Sequence, residues 1–170
     1  MDTMKMCWIT GVIFFFSTIF PIIPSLNAET VLLYSDHSVG KGDFDFSTFY
    51  VEDGIMDVFF EAGHIIFNGS FQNPEAKLPA DAPFSERPSY RMAKAGGASH
   101  VLEISLHFSE DEAETLPRFA KYRFIEVSSE RNLAEGDVYY HETGDSEELD
   151  DRELIRRMGE RVGLSALHGL

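Results

Sequence analysis

Apolar residues recur along the chain in two spacings, one typical of strands and one typical of helices. The clearest strand pattern is Val101–Phe108, in which apolar and polar side chains alternate. The clearest helical pattern begins at Ser47, and its apolar residues recur three or four positions apart as far as Ala62. These spacings predict strands near 31–35, 64–68, 101–108, 122–128 and 137–142, and helices near 47–62, 85–95 and 151–166.

The predicted elements follow one another in the order β-α-β-α-β-β-β-α. The early β-α-β alternation favours parallel strand pairing, and the run of strands after Phe108 favours an antiparallel extension. We therefore predict an α/β fold (α+β mixed), with a single mixed sheet of about five strands covered by about three helices. The side chains expected in its core are Leu32, Ile55, Phe59, Ile66, Leu102, Ile104, Leu106, Phe124, Ile155, Met158 and Val162.

Local signals indicate where two of the helices begin and end. Asp45 or Ser47 can cap the start of the first long helix. Gly63 is placed to end that helix in the left-handed conformation. Asp150 or Asp151 opens the last helix, and the acids around them suit the positive end of the helix dipole.

The first 28 residues have the layout of a secretory signal peptide. Lys5 precedes an apolar run, Trp8–Phe20, which is short for a transmembrane span, and a small residue, Ala28, follows at the expected cut. We predict cleavage after Ala28, a single domain over 29–170, and a periplasmic or secreted location. After cleavage no stable membrane insertion is expected. An uncleaved membrane anchor is the alternative, which Asp2 and the sparse positive charge leave open.

Composition narrows the chemistry of the exported part. The only cysteine, Cys7, lies in the signal segment, so neither disulfides nor thiol chemistry are expected. Cys7 also precedes the apolar run, whereas a lipid-attachment cysteine would follow it. The net charge of −15 disfavours nucleic acids as partners, because phosphate backbones are repelled. An acidic chain is compatible with basic partners or with solubility alone.

Asp36 and His37 form the sharpest candidate for catalysis. They follow the first predicted strand, and ligands of open α/β sheets bind beyond the carboxyl ends of strands. An aspartate there can hold a cation or orient a base, and His37 could be that base. A small hydrolase or cation-dependent enzyme is therefore the alternative function. The same residues, Ser-Asp-His-Ser, are also typical of a turn, in which His37 would simply face solvent. No other catalytic signature occurs in the sequence.

The six histidines and the acidic run do not predict a metal or cofactor site. His100 and His107 lie seven residues apart on one predicted strand and therefore on opposite faces. The run Asp145–Glu153 lacks the residue order of a calcium loop, although calcium is a minor possibility. We expect no bound cofactor and no metal.

The order of elements resembles the periplasmic α/β domain of three families: the TolB amino-terminal region, the curli-secretion-channel (CsgG) family and the penicillin-binding-protein activator lipoproteins. The residues behind the resemblance are Thr30–Ser35, the helix 47–62 ending at Gly63, and the step Ala95–Ile104 from helix to strand. The resemblance implies a domain that binds other envelope proteins and performs no chemistry. We accordingly expect a non-catalytic exported accessory protein of the bacterial cell envelope.

Aromatic residues provide the candidate protein-binding surface. Phe44 and Phe46 lie in the stretch Val39–Tyr50, and Phe71 and Phe84 lie in the loop 69–84. Irregular chain beside strand ends can expose such rings, and interface energy concentrates in a few aromatic anchors. Phe44 and Phe46 can instead belong to the core. The oligomeric state is left open.

Overall fold

A computed structural model of the protein describes residues 28–35, 44–69, 82–109, 116–142 and 149–170. The described strands are Thr30–Ser35 (β1), Ile65–Gly69 (β2), His100–Phe108 (β3), Pro117–Glu126 (β4) and Asn132–Tyr139 (β5). The described helices are Phe44–Glu61 (α1), Pro88–Gly96 (α2) and Asp151–Leu167 (α3), with short 3-10 turns at Phe84–Glu86 and Tyr140–Glu142.

The five strands form one mixed sheet in the order β2-β1-β3-β4-β5. β1 pairs in parallel with β2 and β3, whereas β3–β4 and β4–β5 are antiparallel. This arrangement confirms the predicted fold class and the predicted change from parallel to antiparallel pairing after Phe108.

Helices α1 and α3 cover one face of the sheet and pack closely against each other. Glycines permit this approach, because a Cβ at Gly54 would lie 2.1 Å from the Arg156 carbonyl oxygen, and one at Gly159 would lie 2.1 Å from that of Val51. Arg156 then lies among carboxylates of both helices, including Asp57 and, at 2.7 Å, Glu160. Gly54 therefore weakens α1 locally but is required by its packing.

Helix α2 and the 3-10 turn before it cover part of the other face. Their apolar side chains pack on Leu32, Val101 and Ile125. Arg87, at the start of α2, pairs with Glu103 of β3 at 2.8 Å, and Ser89 donates to the same carboxylate. All eleven side chains predicted for the core are buried, which confirms that prediction: Leu32, Ile55, Phe59, Ile66, Leu102, Ile104, Leu106, Phe124, Ile155, Met158 and Val162.

Two predicted helix starts require correction. α1 begins at Phe44, three residues before the predicted start, so Ser47 is a buried helical residue and not a cap. The second helix is interrupted at Arg87, which is extended, because the residue before Pro88 is disfavoured in the helical region. The other ends match their signals: Gly63 has φ 82°, and Asp150 caps α3 by accepting a hydrogen bond from the Glu153 amide.

The last two strands both begin and end earlier than predicted. β4 is Pro117–Glu126 where 122–128 was predicted, and β5 is Asn132–Tyr139 where 137–142 was predicted. Cross-strand contacts offset weak local propensity there: Gly136 lies opposite Tyr122, whose ring would meet a Cβ at 3.1 Å. His141 lies in the 3-10 turn after β5 and not in a strand.

Candidate functional site

One row of rings crosses the sheet on the same face as α2, in the part of that face that α2 does not cover. The strand register places His107 of β3 opposite Phe119 of β4, and Phe119 opposite Tyr139 of β5. The His107 and Phe119 rings stack at 4.3 Å, Phe119 and Tyr139 are 5.5 Å apart, and Tyr139 and His141 are 5.6 Å apart. We call these four residues the aromatic row. Tyr139 is 39% exposed and is therefore the member of the aromatic row that is counted among the exposed large apolar side chains.

The geometry of the stack decides what the aromatic row can contact. His107 and Phe119 are nearly parallel, at 7°, so their faces turn toward each other across the strands. Their edges are therefore what they present to solvent, which suits packing by apolar groups better than stacking by a flat ligand. Burial lowers the pKa of His107, and the nearby Lys121 lowers it further while Asp137 opposes this shift. Burial therefore favours the neutral form of the ring.

A bulge beside the aromatic row displays an arginine. The β3–β4 register shifts between His107 and Phe108, so Arg118 is an extra residue of β4 and is exposed. Arg118, Phe119, Tyr139, Tyr140 and His141 line a shallow cavity of about 480 Å³. The cavity therefore combines one guanidinium with aromatic walls.

Tyr140 joins this cavity to the start of α3. Its hydroxyl donates to Asp151 at 3.1 Å, and burial together with this hydrogen bond raises the pKa of Tyr140 to about 12. The phenol therefore stays protonated at any physiological pH. Because Asp151 opens α3, the same contact holds the cavity wall against the helix.

The first turns of α1 lie at the same end of the sheet, because α1 follows the carboxyl end of β1. Phe46 packs against the core beside Tyr50, at 4.7 Å, and the Arg152 guanidinium lies over its ring at 5.5 Å. Phe49 is instead 63% exposed, the highest value among the large apolar side chains that are described. In the first turns of α1 the exposed ring is thus Phe49, which lies in the predicted stretch Val39–Tyr50 but was not among the selected anchors.

The predicted protein-binding residues fall in different environments. Phe84 is only 8% exposed and packs with Tyr90 at 5.2 Å in the core under α2, so the expectation of an exposed ring there is wrong. Phe84 ends a predicted loop of irregular chain, and its burial under α2 is a tertiary contact that the local sequence does not reveal. The side chain of Phe44 and all of Phe71 lie outside the described residues.

Asp36 and His37 also lie outside the described residues, so the enzymatic alternative stays a prediction. The last described residue of β1, Ser35, donates a hydrogen bond to Glu52 of α1. Asn68 of β2 donates to the other oxygen of Glu52 at 3.3 Å. These polar groups satisfy one another and join α1 to the strand ends.

A second polar cluster lies at the opposite end, where β1 and β3 begin. The Ser99 hydroxyl lies 3.0 Å from His100 Nδ1 and donates to Glu29 Oε2 at 2.7 Å. A serine–histidine–acid relay needs the acid and the serine on different ring nitrogens, whereas both approach Nδ1 here. Ser99 also accepts from the Thr30 amide at 3.1 Å, so the cluster holds β1 beside β3.

The two histidines of β3 face opposite sides of the sheet, which confirms that prediction. His100 stacks on Phe124 at 5.2 Å, and His107 stacks on Phe119. Within the described ranges no group of three or more histidine, cysteine or acidic residues is arranged to hold a metal ion. None of the described helices is both long and apolar enough to span a bilayer.

Sequence reasoning could have found part of the aromatic row. The alternation of β3 already placed His107 on the polar face, opposite to Leu106 and Phe108. Finding Phe119 and Tyr139 beside it requires the register of three strands, and the β4 start had been placed after Phe119. The row is therefore a product of tertiary pairing.

Comparison with known proteins identifies no family for the chain. No protein-family model matches it, and no curated protein matches its sequence. Similar solved structures include TolB from Acinetobacter baumannii, with 13% identity and a TM-score of 0.42 over 84% of this chain. The chain spans 28% of the TolB chain.

Two further similar structures are matched over most of their own length. PelC from Paraburkholderia phytofirmans, a dodecamer, is 13% identical with a TM-score of 0.47, over 82% of this chain and 87% of PelC. A lipoprotein from Neisseria meningitidis is 14% identical with a TM-score of 0.43, over 72% and 86% of the two chains. The resemblance to TolB noted in the sequence thus recurs as a weak likeness of fold, which assigns no partner or activity.

Proposed function

We propose that the chain is a non-catalytic accessory protein of the bacterial cell envelope that binds another envelope protein. The observation that carries this proposal is the exposed aromatic surface at the carboxyl end of β1 and β3. We define the binding surface as the aromatic row together with Phe49. The signal-peptide pattern over residues 1–28 supports the envelope location.

The topology brings the parts of the binding surface to one end of the sheet. β3 ends at Phe108, β4 starts at Pro117 and β5 ends at Tyr139, so the rings of the aromatic row are neighbours in space. α1 and α3 both begin at this end as well, on the opposite face of the sheet, and Arg152 of α3 contacts Phe46 of α1. A partner that contacts both Phe49 and the aromatic row would therefore extend over this end of the sheet.

The composition of this surface suits a protein partner. Exposed aromatic rings with an arginine nearby are the residue types that dominate binding energy in protein interfaces. The net charge of −15 disfavours nucleic acids and anionic membranes. The polar clusters that are described, around Glu52 and around Ser99, form hydrogen bonds within the fold, and around Ser99 the serine and the acid approach the same ring nitrogen of His100.

The test is affinity capture from the native envelope with paired variants of the chain. Phe49→Ala and Tyr139→Ala remove rings of the binding surface, and each is expected to reduce capture of the partner at least about tenfold, since an aromatic anchor commonly contributes about 2 kcal/mol or more. Phe60→Ala is the matched control, because Phe60 is 52% exposed but lies near the other end of α1.

Three outcomes would contradict the proposal. The first is a chain that captures no stable partner. The second is capture that Phe60→Ala reduces as strongly as Phe49→Ala, which would show an unspecific apolar effect. The third is hydrolysis of a substrate by the purified chain that is lost on replacing Asp36 or His37, which would establish the enzymatic alternative.

A further inference from the structure

We propose that the cavity beside Arg118 binds a carboxylate that is attached to an apolar group, supplied by the C-terminal residue of the partner protein. This inference rests on the proposed function and names the chemistry of one contact. A C-terminal residue carries a carboxylate and a side chain on the same Cα, so one residue can meet both features of the cavity.

Arg118 supplies the charge for this recognition. It is exposed on the β4 bulge and makes no ion pair with any residue that the structure describes, whereas Arg156 lies among four carboxylates between α1 and α3. A guanidinium presents paired N–H donors whose geometry matches the two oxygens of a carboxylate. An arginine displayed in this way in an acidic chain favours contact with an anion.

The rest of the cavity supplies apolar walls. Phe119, Tyr139, Tyr140 and His141 line its roughly 480 Å³, a volume within the range of small-ligand sites. A small inorganic anion would leave these rings without contacts, and a neutral apolar group would leave the guanidinium without a counter-charge. An apolar residue with a free carboxylate satisfies both parts.

The acidic character of the chain sets the strength of this contact. The net charge of −15 opposes the approach of any anion, but this repulsion is screened over about 8 Å at physiological ionic strength. A direct guanidinium–carboxylate contact is shorter than this distance and persists. We therefore expect a free amino-acid derivative to bind weakly, and a partner that also covers the aromatic row to bind much more tightly.

The first experiment is a nuclear magnetic resonance titration of the purified chain with N-acetyl-phenylalanine and with its amide. The free acid is expected to shift the signals of Tyr139 and His141 and to bind at least about tenfold more tightly than the amide, because a hydrogen bond to a charged group contributes more than a neutral one. Equal binding of acid and amide, or no binding of either, overturns the proposal.

A pair of arginine variants tests the residue itself. Arg118→Gln is expected to remove the preference for the acid, with the spectrum otherwise retained because the residue is exposed. Arg131→Gln is the matched control: Arg131 is also exposed but lies in the β4–β5 turn, at the other end of the sheet. An unchanged preference in Arg118→Gln assigns the site elsewhere and overturns the proposal.

Peptides distinguish the source of the carboxylate. A peptide ending in free phenylalanine is expected to bind more tightly than N-acetyl-phenylalanine, and its amidated form should lose this gain. If the small acid binds and the peptide does not, the cavity is a small-molecule site and the C-terminal assignment is wrong. The effect of Phe49→Ala on partner capture is independent of these results, because Phe49 does not line the cavity. Failure of the carboxylate preference therefore leaves the proposed function standing.

Discussion

The two ends of the sheet differ in how their side chains are used. At the amino end, where β1, β2 and β3 begin, polar groups bond to one another: the Glu29 amide donates to His64 Nδ1 at 3.2 Å, and the Ser99 amide donates to the Thr30 carbonyl at 2.8 Å. At the carboxyl end, rings such as Phe49 and Tyr139 remain exposed.

This difference fits the proposed division, in which the amino end maintains the fold and the carboxyl end binds the partner. The bonds around Ser99 link the first residues of β1 to those of β3, which are far apart in sequence, and therefore fix the parallel register. The rings of the binding surface are not part of the main core, so they can be altered with less effect on folding. Substitutions of matched residues from the two ends test this division.

The largest expected difference lies between two phenylalanines of β4. Phe124 is fully buried, packed against Phe59 and stacked with His100, so Phe124→Ala should lower the free energy of unfolding by about 3–5 kcal/mol. Phe119 is half-buried in the aromatic row, and Phe119→Ala should cost about 1 kcal/mol. Urea unfolding of both variants measures the difference. Equal losses would place the aromatic row in the core and remove its proposed binding role.

The contrast between these two residues also shows how far the sequence could predict the structure. Phe124 was predicted to be buried within a predicted strand, 122–128, and its burial is confirmed. Phe119 lay outside the predicted strand, since β4 begins with the poor strand former Pro117 and is extended by pairing with β3. Local patterns thus predicted the core, whereas contacts made by strand pairing escaped them.

The dependence on tertiary contacts also explains why the exposed rings of the candidate site were not predicted correctly. Phe84 was selected because it lies in a predicted stretch of irregular chain beside strand ends, yet it is buried by α2, which packs from the following segment. Phe49 was not selected, because its position relative to the core depends on the actual orientation of α1. Exposure is set by tertiary packing, so residue type alone could not separate these two rings.

A smaller difference in stability is expected between variants of two serines, Ser99 just before β3 and Ser105 within it. Ser99→Ala removes the acceptor of the Thr30 amide and the donor to Glu29, and should cost about 1–3 kcal/mol because polar groups are left unpaired. Ser105 bonds only with His107 at 3.3 Å among the described contacts, and Ser105→Ala should change stability by less than about 0.5 kcal/mol. Thermal and urea unfolding measure both. A Ser105 effect as large as that of Ser99 would contradict the division between the ends.

The pH dependence of stability should also be dominated by the amino end. Burial lowers the pKa of His100, although Glu29 and Glu126 oppose this shift, and His64 adds to it. Below about pH 6.5 the unfolded chain therefore binds a proton that folded His100 does not, so stability should fall as the pH decreases through this value toward the folded pKa. Well above pH 6.5 His100 is neutral in both the folded and the unfolded chain, so its contribution to stability no longer changes with pH.

Substitution by a ring that cannot titrate tests this assignment. His100→Phe should flatten the loss of stability between pH 7.5 and pH 5.5, measured by urea unfolding at each pH. His107→Phe should flatten it less, since His107 is less buried, although burial lowers the pKa of His107 as well. A larger change in His107→Phe would show that the carboxyl end carries the pH dependence.

The smallest effect on stability is expected where the proposed effect on binding is largest. Phe49 is 63% exposed and its ring contacts Tyr50 at 5.3 Å, so Phe49→Ala should change the free energy of unfolding by less than about 0.5 kcal/mol. Val51, two residues along α1, is fully buried, and Val51→Ala should cost more than 1 kcal/mol, roughly the value of its lost methyl groups. If Phe49→Ala destabilises the chain as much as Val51→Ala, its ring serves the fold. A stable Phe49→Ala variant that no longer captures the partner would separate folding from binding at a single side chain.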